Sequence, residues 1–205
     1  MRPEEIESLS FNIIEAEIGK HGLSKDQWPI VRRMIHTTAD FEYGSMVRFH
    51  PNAIQAGLAA IRGGENIITD TNMARVGIRK NELDRFGAST VCFMNDPAIH
   101  SRAKASGNTR ARVAVDMAIE DMKDGIYVVG NAPTALMRLI ELVETQQARP
   151  ALIIGLPVGF VNAAESKAAL MELDYPYITN VGRKGGSNVA ASVVNALAIM
   201  ASEGA

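Results

Sequence analysis

The stretch IYVVGNAPTALMRLIELVETQQARPALIIG, residues 126–155, reads as a complete strand–helix–strand unit. Its two ends, Ile126 to Gly130 and Ala151 to Gly155, are short unbroken apolar runs. Parallel strands covered on both faces read this way, because neither face meets water. Between them Pro133 to Gln147 reads as a helix, with Pro133 in the first turn, where a fixed φ and a missing N–H cost little.

The same alternation extends in both directions. NIITD (Asn66 to Asp70) and TVCFM (Thr90 to Met94) are further strand candidates, and YPYITN, around Tyr177 to Thr179, is a weaker one. Helical patterns cover Pro3 to Lys20, Lys25 to Thr37, Pro51 to Arg62, Arg110 to Lys123, Ala163 to Leu173 and Ser187 to Ser202. In the last, Val189, Val193, Val194, Leu197 and Met200 trace a core-facing stripe. The pattern predicts an α/β fold, a single domain over residues 1–205, with a mostly parallel open sheet of about five strands flanked by helices. No repeat, low-complexity tract or Pro/Ser-rich linker divides it.

With 47% hydrophobic and 21% charged residues, the chain has the composition of a globular protein with a real core. A formal net charge of -2 lacks the basic excess of nucleic-acid binders, so an anionic ligand must be met by local clusters. Cys92 is the only cysteine, which excludes an internal disulfide and a thiolate metal cluster and fits a cytoplasmic protein. Within the apolar run TVCFM it reads as a buried structural thiol. The N-terminus lacks the basic-then-apolar order of a secretory signal, and no apolar run reaches the roughly 20 residues that span a bilayer.

Open α/β sheets bind ligands beyond the carboxyl ends of their strands, which directs attention to the loops there. Gly130-Asn131-Ala132-Pro133-Thr134 joins a strand directly to a helix. Its backbone N–H groups suit a carboxylate or phosphate, although a plain turn accounts for it equally well. Neither GxGxxG nor GxxxxGK[ST] is present. Arg183-Lys184-Gly185-Gly186-Ser187 places two cations and paired glycines before the last helix, as an anion site or as a solvated loop. His100 to Arg112 carries Arg102, Lys104, Arg110 and Arg112 without an acidic residue and reads as a mobile cationic loop. Two basic loops in a slightly acidic chain point to a ligand with several negative groups.

Of the four histidines, none has the spacing of a helical zinc site, and no protein-bound metal is expected. Only His36 lies in a dense polar group, ending the apolar helix WPIVRRMI and followed by Thr37, Thr38 and Asp40. The carbonyl end of a helix attracts cations, and a histidine there can hold and donate a proton near neutral pH. A helix-capping role fits the same spacing. Asp70-Thr71-Asn72 and Asn95-Asp96 follow strands and suit either hydrogen bonding to a ligand or turn formation.

Several longer segments then occur in order: SFNIIEAE near Ser10, RMIHTTADF at Arg33 to Phe41, DTNM at Asp70 to Met73, and GNTR at Gly107 to Arg110. GNAPTAL at Gly130 to Leu136, GLPVGFVNAAESK at Gly155 to Lys167 and GRKGGSNVAASVVNALA at Gly182 to Ala198 follow. Together they resemble the precorrin-8X methylmutase family, with its cobalt-precorrin-8 counterparts, over nearly the whole chain.

The resemblance implies an open α/β homodimer that needs no separate cofactor and moves a methyl group from C-11 to C-12 of a corrin macrocycle. It implies that His36 is the catalytic acid, protonating the macrocycle near ring C. Arg183, Lys184 and Arg110 would clamp the acetate and propionate groups at the rim, joined by Gly185, Gly186 and Ser187. Ser10, Thr37, Thr71, Thr109 and Asn131 match further substrate-binding positions, while Met73, Pro157, Val158 and Phe160 would form apolar walls. The HTTADF form is closer to the cobalt-containing branch, where the metal arrives inside the substrate. A corrinoid carrier without turnover would use the same rim contacts. No nucleic-acid or membrane partner is implied.

Overall fold

The computed structural model describes residues 2–203. Its six strands are β1 (Val47–Phe49), β2 (Ile67–Thr69), β3 (Thr90–Val91), β4 (Ile126–Val129), β5 (Leu152–Gly155) and β6 (Tyr177–Asn180). They form one sheet in the order β1-β6-β5-β4-β2-β3. All neighbours are parallel except β1, which runs antiparallel to β6 with Val47 opposite Asn180. The five expected strands are present, and β1 is the addition. Three residues at a sheet edge are too few to leave an apolar signature.

The helices are α1 (Pro3–Ile18), α2 (Trp28–Thr38), α3 (Tyr43–Met46), α4 (Ala53–Arg62), α5 (Asn72–Gly77) and α6 (Lys80–Asp84), then α7 (Pro97–Ser106), α8 (Arg110–Met117), α9 (Pro133–Glu144), α10 (Ala163–Met171) and α11 (Ser187–Glu203).

Three local expectations are corrected. The segment His100 to Arg112 is helical on both sides of Gly107, with α7 ending there in the left-handed region at φ 68° and α8 beginning at Arg110. Thr109 starts α8 by accepting a hydrogen bond from the Arg112 N–H at 3.2 Å, and α8 stops at Met117 rather than Lys123. TVCFM is extended only at Thr90 and Val91; Phe93–Asn95 forms a single 3-10 turn, and Cys92 is half-buried rather than enclosed.

Strand residues alternate between two cores, as a period of two requires. Ile126, Val128, Leu152 and Ile154 face one side, with residues of α2, α4 and α11. Tyr127, Val129 and Ile153 face the other, with residues of α8, α9 and α10. Every residue from Val189 to Ala198 is buried, because α11 contacts β4 and β5 as well as α2, α4 and α5. This central helix begins beside the carboxyl ends of the strands, so its position governs the loops gathered there.

Candidate active site

The winding reverses between β2 and β4: β3 lies on one side of β2, and β4, β5 and β6 follow on the other. Such a switch point leaves a crevice outside the carboxyl ends of the two strands. Asp70, the residue after β2, is buried there. Its carboxylate accepts hydrogen bonds from the Gly130, Asn131 and Ala132 N–H groups at 2.8, 2.9 and 2.8 Å. Burial pushes the Asp70 carboxyl above its ordinary value, against three donors that favour the charged form. The backbone donors of this turn, which suited a ligand or a plain turn equally well, are therefore engaged by an internal carboxylate. The Asn131 side chain remains exposed.

Thr71 caps α5 by accepting from the Ala74 N–H at 3.1 Å, and its hydroxyl shares a hydrogen bond with that of Ser187 at 2.8 Å. Gly130 lies directly beneath: a Cβ there would stand 2.7 Å from the Ser187 Cα. The DTNM, GNAPT and GGSN segments thus converge on one point.

The loops after β5 and β6 are bonded to each other. Gly186 donates its N–H to the Leu156 carbonyl at 2.9 Å, and Gly159 donates to the Arg183 carbonyl at 3.3 Å. Gly185 has φ +156°, and a Cβ there would come within 2.4 Å of the Leu156 carbonyl oxygen. Arg183 is exposed, its guanidinium 5.6 Å from the centre of the Phe160 ring. Of the four residues expected as apolar walls, Phe160, Met73 and Val158 are exposed and Pro157 is buried.

Lys184 differs from expectation. Its ammonium pairs with Asp40 and, at 3.1 Å, with Glu42. The hydrogen bond to Asp40 raises Lys184 above its ordinary value and holds the Asp40 carboxyl below its own. Asp40, four residues after His36 in the same segment, is thereby committed to Lys184. Sequence reading also passed over Lys167, buried in α10, and Asn180, at the end of β6. A lysine among small residues in NAAESKAAL is the only sign the chain offers of the first.

His36 lies exposed in the last turn of α2, with its ring edge-on to Phe11 at 5.3 Å between centres. Its ring makes no hydrogen bond among the described residues. Together with Ser10, Ile13, Ile14 and Phe41 it lines a cleft of about 230 Å³. The Ser10 hydroxyl donates to the Ile6 carbonyl at 2.8 Å, and Thr37 is exposed next to His36. Below the cleft, Glu7 binds Arg33 at 3.0 Å and Arg79 at 3.4 Å. Burial raises the Glu7 carboxyl, but the Arg33 hydrogen bond and the charges of Arg33, Arg79 and His36 bring it below the usual range.

Thr109 and Arg110 join the rim through α9, since the Thr109 and Thr134 hydroxyls are 3.0 Å apart. Arg110 is exposed beside His100, Lys104 and Asn108, while Arg112 is held by Glu141 at 2.6 Å. Among the described residues no group of His, Cys, Asp and Glu side chains is arranged to hold a metal ion, and no helix is long and apolar enough to cross a membrane.

A mostly parallel sheet whose winding reverses once, cationic and glycine-lined loops at its carboxyl edge and a histidine cleft joined to them through Lys184 and Asp40 define an open α/β protein with a site at its switch point. The model of the family described as precorrin-8X methylmutase matches residues 5–200, and the chain belongs to that family. It is 46% identical over 204 residues to a cobalt-precorrin-8 methylmutase of Priestia megaterium, covering 100% of this chain and 91% of the relative. It is 39% identical over 191 residues to a precorrin-8X methylmutase of Pseudomonas aeruginosa, covering 92% and 91%. The crystal structure described as precorrin-8x methyl mutase from Thermus thermophilus superposes with a TM-score of 0.92 at 46% identity, covering 98% of this chain and 97% of the other.

Proposed function

We propose that this protein is an isomerase of cobalamin biosynthesis that moves a methyl group from C-11 to C-12 of precorrin-8X or cobalt-precorrin-8, with His36 as general acid. The observation that carries the reading is the position of His36: exposed, unbonded, and facing a mainly apolar cleft that is tied to the cationic rim by the Lys184–Asp40 pair. Protonation of the macrocycle by His36 redistributes its π electrons. The C-11–methyl bond then breaks as the C-12–methyl bond forms, and the proton returns as the product, an isomer of the substrate, is released. The products are hydrogenobyrinic acid or, with cobalt in the ring, cobyrinic acid.

The remaining groups bind and orient. Arg183 and Arg110 are exposed cations suited to substrate carboxylates, and the first turn of α11 leaves N–H groups without intrahelical partners. Ser10, Thr37, Thr71, Thr109 and Asn131 offer polar contacts along the same edge, with Phe160, Val158 and Met73 as apolar walls. On this reading the protein works as a cytoplasmic homodimer and draws no chemistry from a separate cofactor. The relatives at 46% and 44% identity are named cobalt-precorrin-8 methylmutases, which supports the cobalt-containing substrate, although one so named is only 39% identical.

Anaerobic incubation with each substrate, followed by the visible spectrum, tests the proposal. Conversion is expected with at least one; no spectral change with either overturns it. His36→Ala is expected to abolish turnover while still binding the coloured product. Equal loss of binding would make His36 a structural residue, and binding without turnover by the unaltered protein would make it a carrier.

A further inference from the structure

One buried charged group has no part in the reaction outlined above. Lys167 of α10 is fully enclosed, at 0% exposure. Its ammonium donates to the Lys184 carbonyl at 2.5 Å and to the Asn180 side-chain oxygen at 3.3 Å. The Asn180 amide donates in turn to the same Lys184 carbonyl at 3.0 Å and to the Val181 carbonyl at 3.1 Å. The backbone of the Arg183–Ser187 loop therefore rests on an internal cation.

No carboxylate pairs with that cation among the described residues. The elements around it place their charges elsewhere: on α9, Glu141 and Arg138 are engaged with Arg112 and Asp116, and Glu144 is exposed. Tyr177 stands at the opposite end of β6, Glu165 on α10 is exposed, and Lys184 is paired with Asp40 and Glu42. Arg183, on the loop itself, is exposed and adds positive charge. An ammonium met only by neutral oxygens is costly to keep charged. Burial accordingly pushes Lys167 down to about 8.

We propose that Lys167 is a positioning residue whose buried charge supports the Arg183–Ser187 loop from beneath and is completed by a carboxylate of the ligand held on that loop. The inference rests on the reading that this loop binds the substrate's carboxylates. A bound anion stabilises the charged ammonium, so binding takes up a proton wherever the free protein has Lys167 partly neutral, above a pH of about 8.

Calorimetric titration with cobyrinic acid near pH 9, in two buffers of different ionisation enthalpy, reads that uptake directly. Wild type is expected to take up a fraction of a proton per ligand. Lys167→Met is expected to take up none and to bind roughly tenfold more weakly. Lys167→Gln, which keeps a donor for the Lys184 carbonyl without the charge, should also lose the uptake even where the methionine variant folds poorly. Unchanged proton uptake in either folded variant overturns the proposal. Arg183→Ala separates the two readings: if it leaves affinity unchanged at low salt, the loop is not the carboxylate site and both fail. If it weakens binding while Lys167→Met binds and titrates as wild type, only the role of Lys167 falls.

Discussion

The ammonium of Lys184 is ion-paired with the carboxylate of Asp40, 144 positions earlier in the chain. Two cations that look equivalent in the sequence RKGG are therefore not equivalent in the fold. Arg183 is exposed against Phe160, whereas Lys184 already has Asp40 and Glu42.

Arg183→Ala is accordingly expected to weaken product binding more than Lys184→Ala. A charge-assisted hydrogen bond contributes about 1.5–3 kcal/mol, so the arginine variant should lose roughly tenfold to hundredfold in affinity and the lysine variant clearly less. Absorbance titrations at low and high salt would check both the order and the screening.

Gly185→Ala should damage the same loop without touching a charge. The added Cβ would lie 2.4 Å from the Leu156 carbonyl oxygen on a backbone at φ +156°. Displacing the loop to relieve this costs about 1–3 kcal/mol and moves Arg183. Thermal unfolding should show a modest fall in Tm and ligand titration a larger fall in affinity. A variant with wild-type affinity would mean that the loop's conformation is irrelevant to binding.

Much of this architecture is legible in the sequence, for a physical reason. β2, β4 and β5 are buried on both faces and show as unbroken apolar runs. β1 lies at an edge and is three residues long, and α5 and α6 have only six and five residues, so none produces a periodic signal. The polar sequence of α7, with its serines and the following Gly107, looks like a loop although Ile99 and Ala103 anchor it as a helix. At the site, the loops were identifiable because they follow strands. Which of their donors were already committed was not, since the partners of Gly130 and Lys184 lie 60 and 144 positions away.

Acid should loosen α1 before the core. Glu7 holds Arg33 and Arg79, and its carboxyl is below its ordinary value of 4.5 in the folded protein. A depressed carboxyl contributes stability that is complete above its unfolded value and is lost as pH falls through the folded one. Hydrogen exchange should therefore show α1 gaining exposure below a pH of about 4.5 while α11 stays protected. In Glu7→Gln, α1 should exchange faster at neutral pH and lose most of this acid response.

The charged form of Lys167, unlike that of Glu7, costs stability, and the cost is shed at alkaline pH. Its folded value of about 8 lies below the ordinary value of 10.5, so the unfolded chain binds the proton more tightly between the two. Stability should rise across that window as the buried charge is shed, relative to Lys167→Met, which should lack the rise. Denaturant midpoints across the alkaline range would measure the difference. Parallel curves for the two proteins would mean that the ammonium is not costly in the folded state.

The Asp70 carboxylate, seated on the N–H groups of Gly130, Asn131 and Ala132, bears on selectivity as well as on shape. In an open α/β protein this turn at the switch point is the natural berth for a nucleotide's phosphates. Here the berth is taken from within. The three N–H groups of this turn are not available to an incoming phosphate, which shifts recognition toward groups around the crevice's perimeter. That arrangement favours a broad ligand with acidic arms over a compact one with a single anionic head.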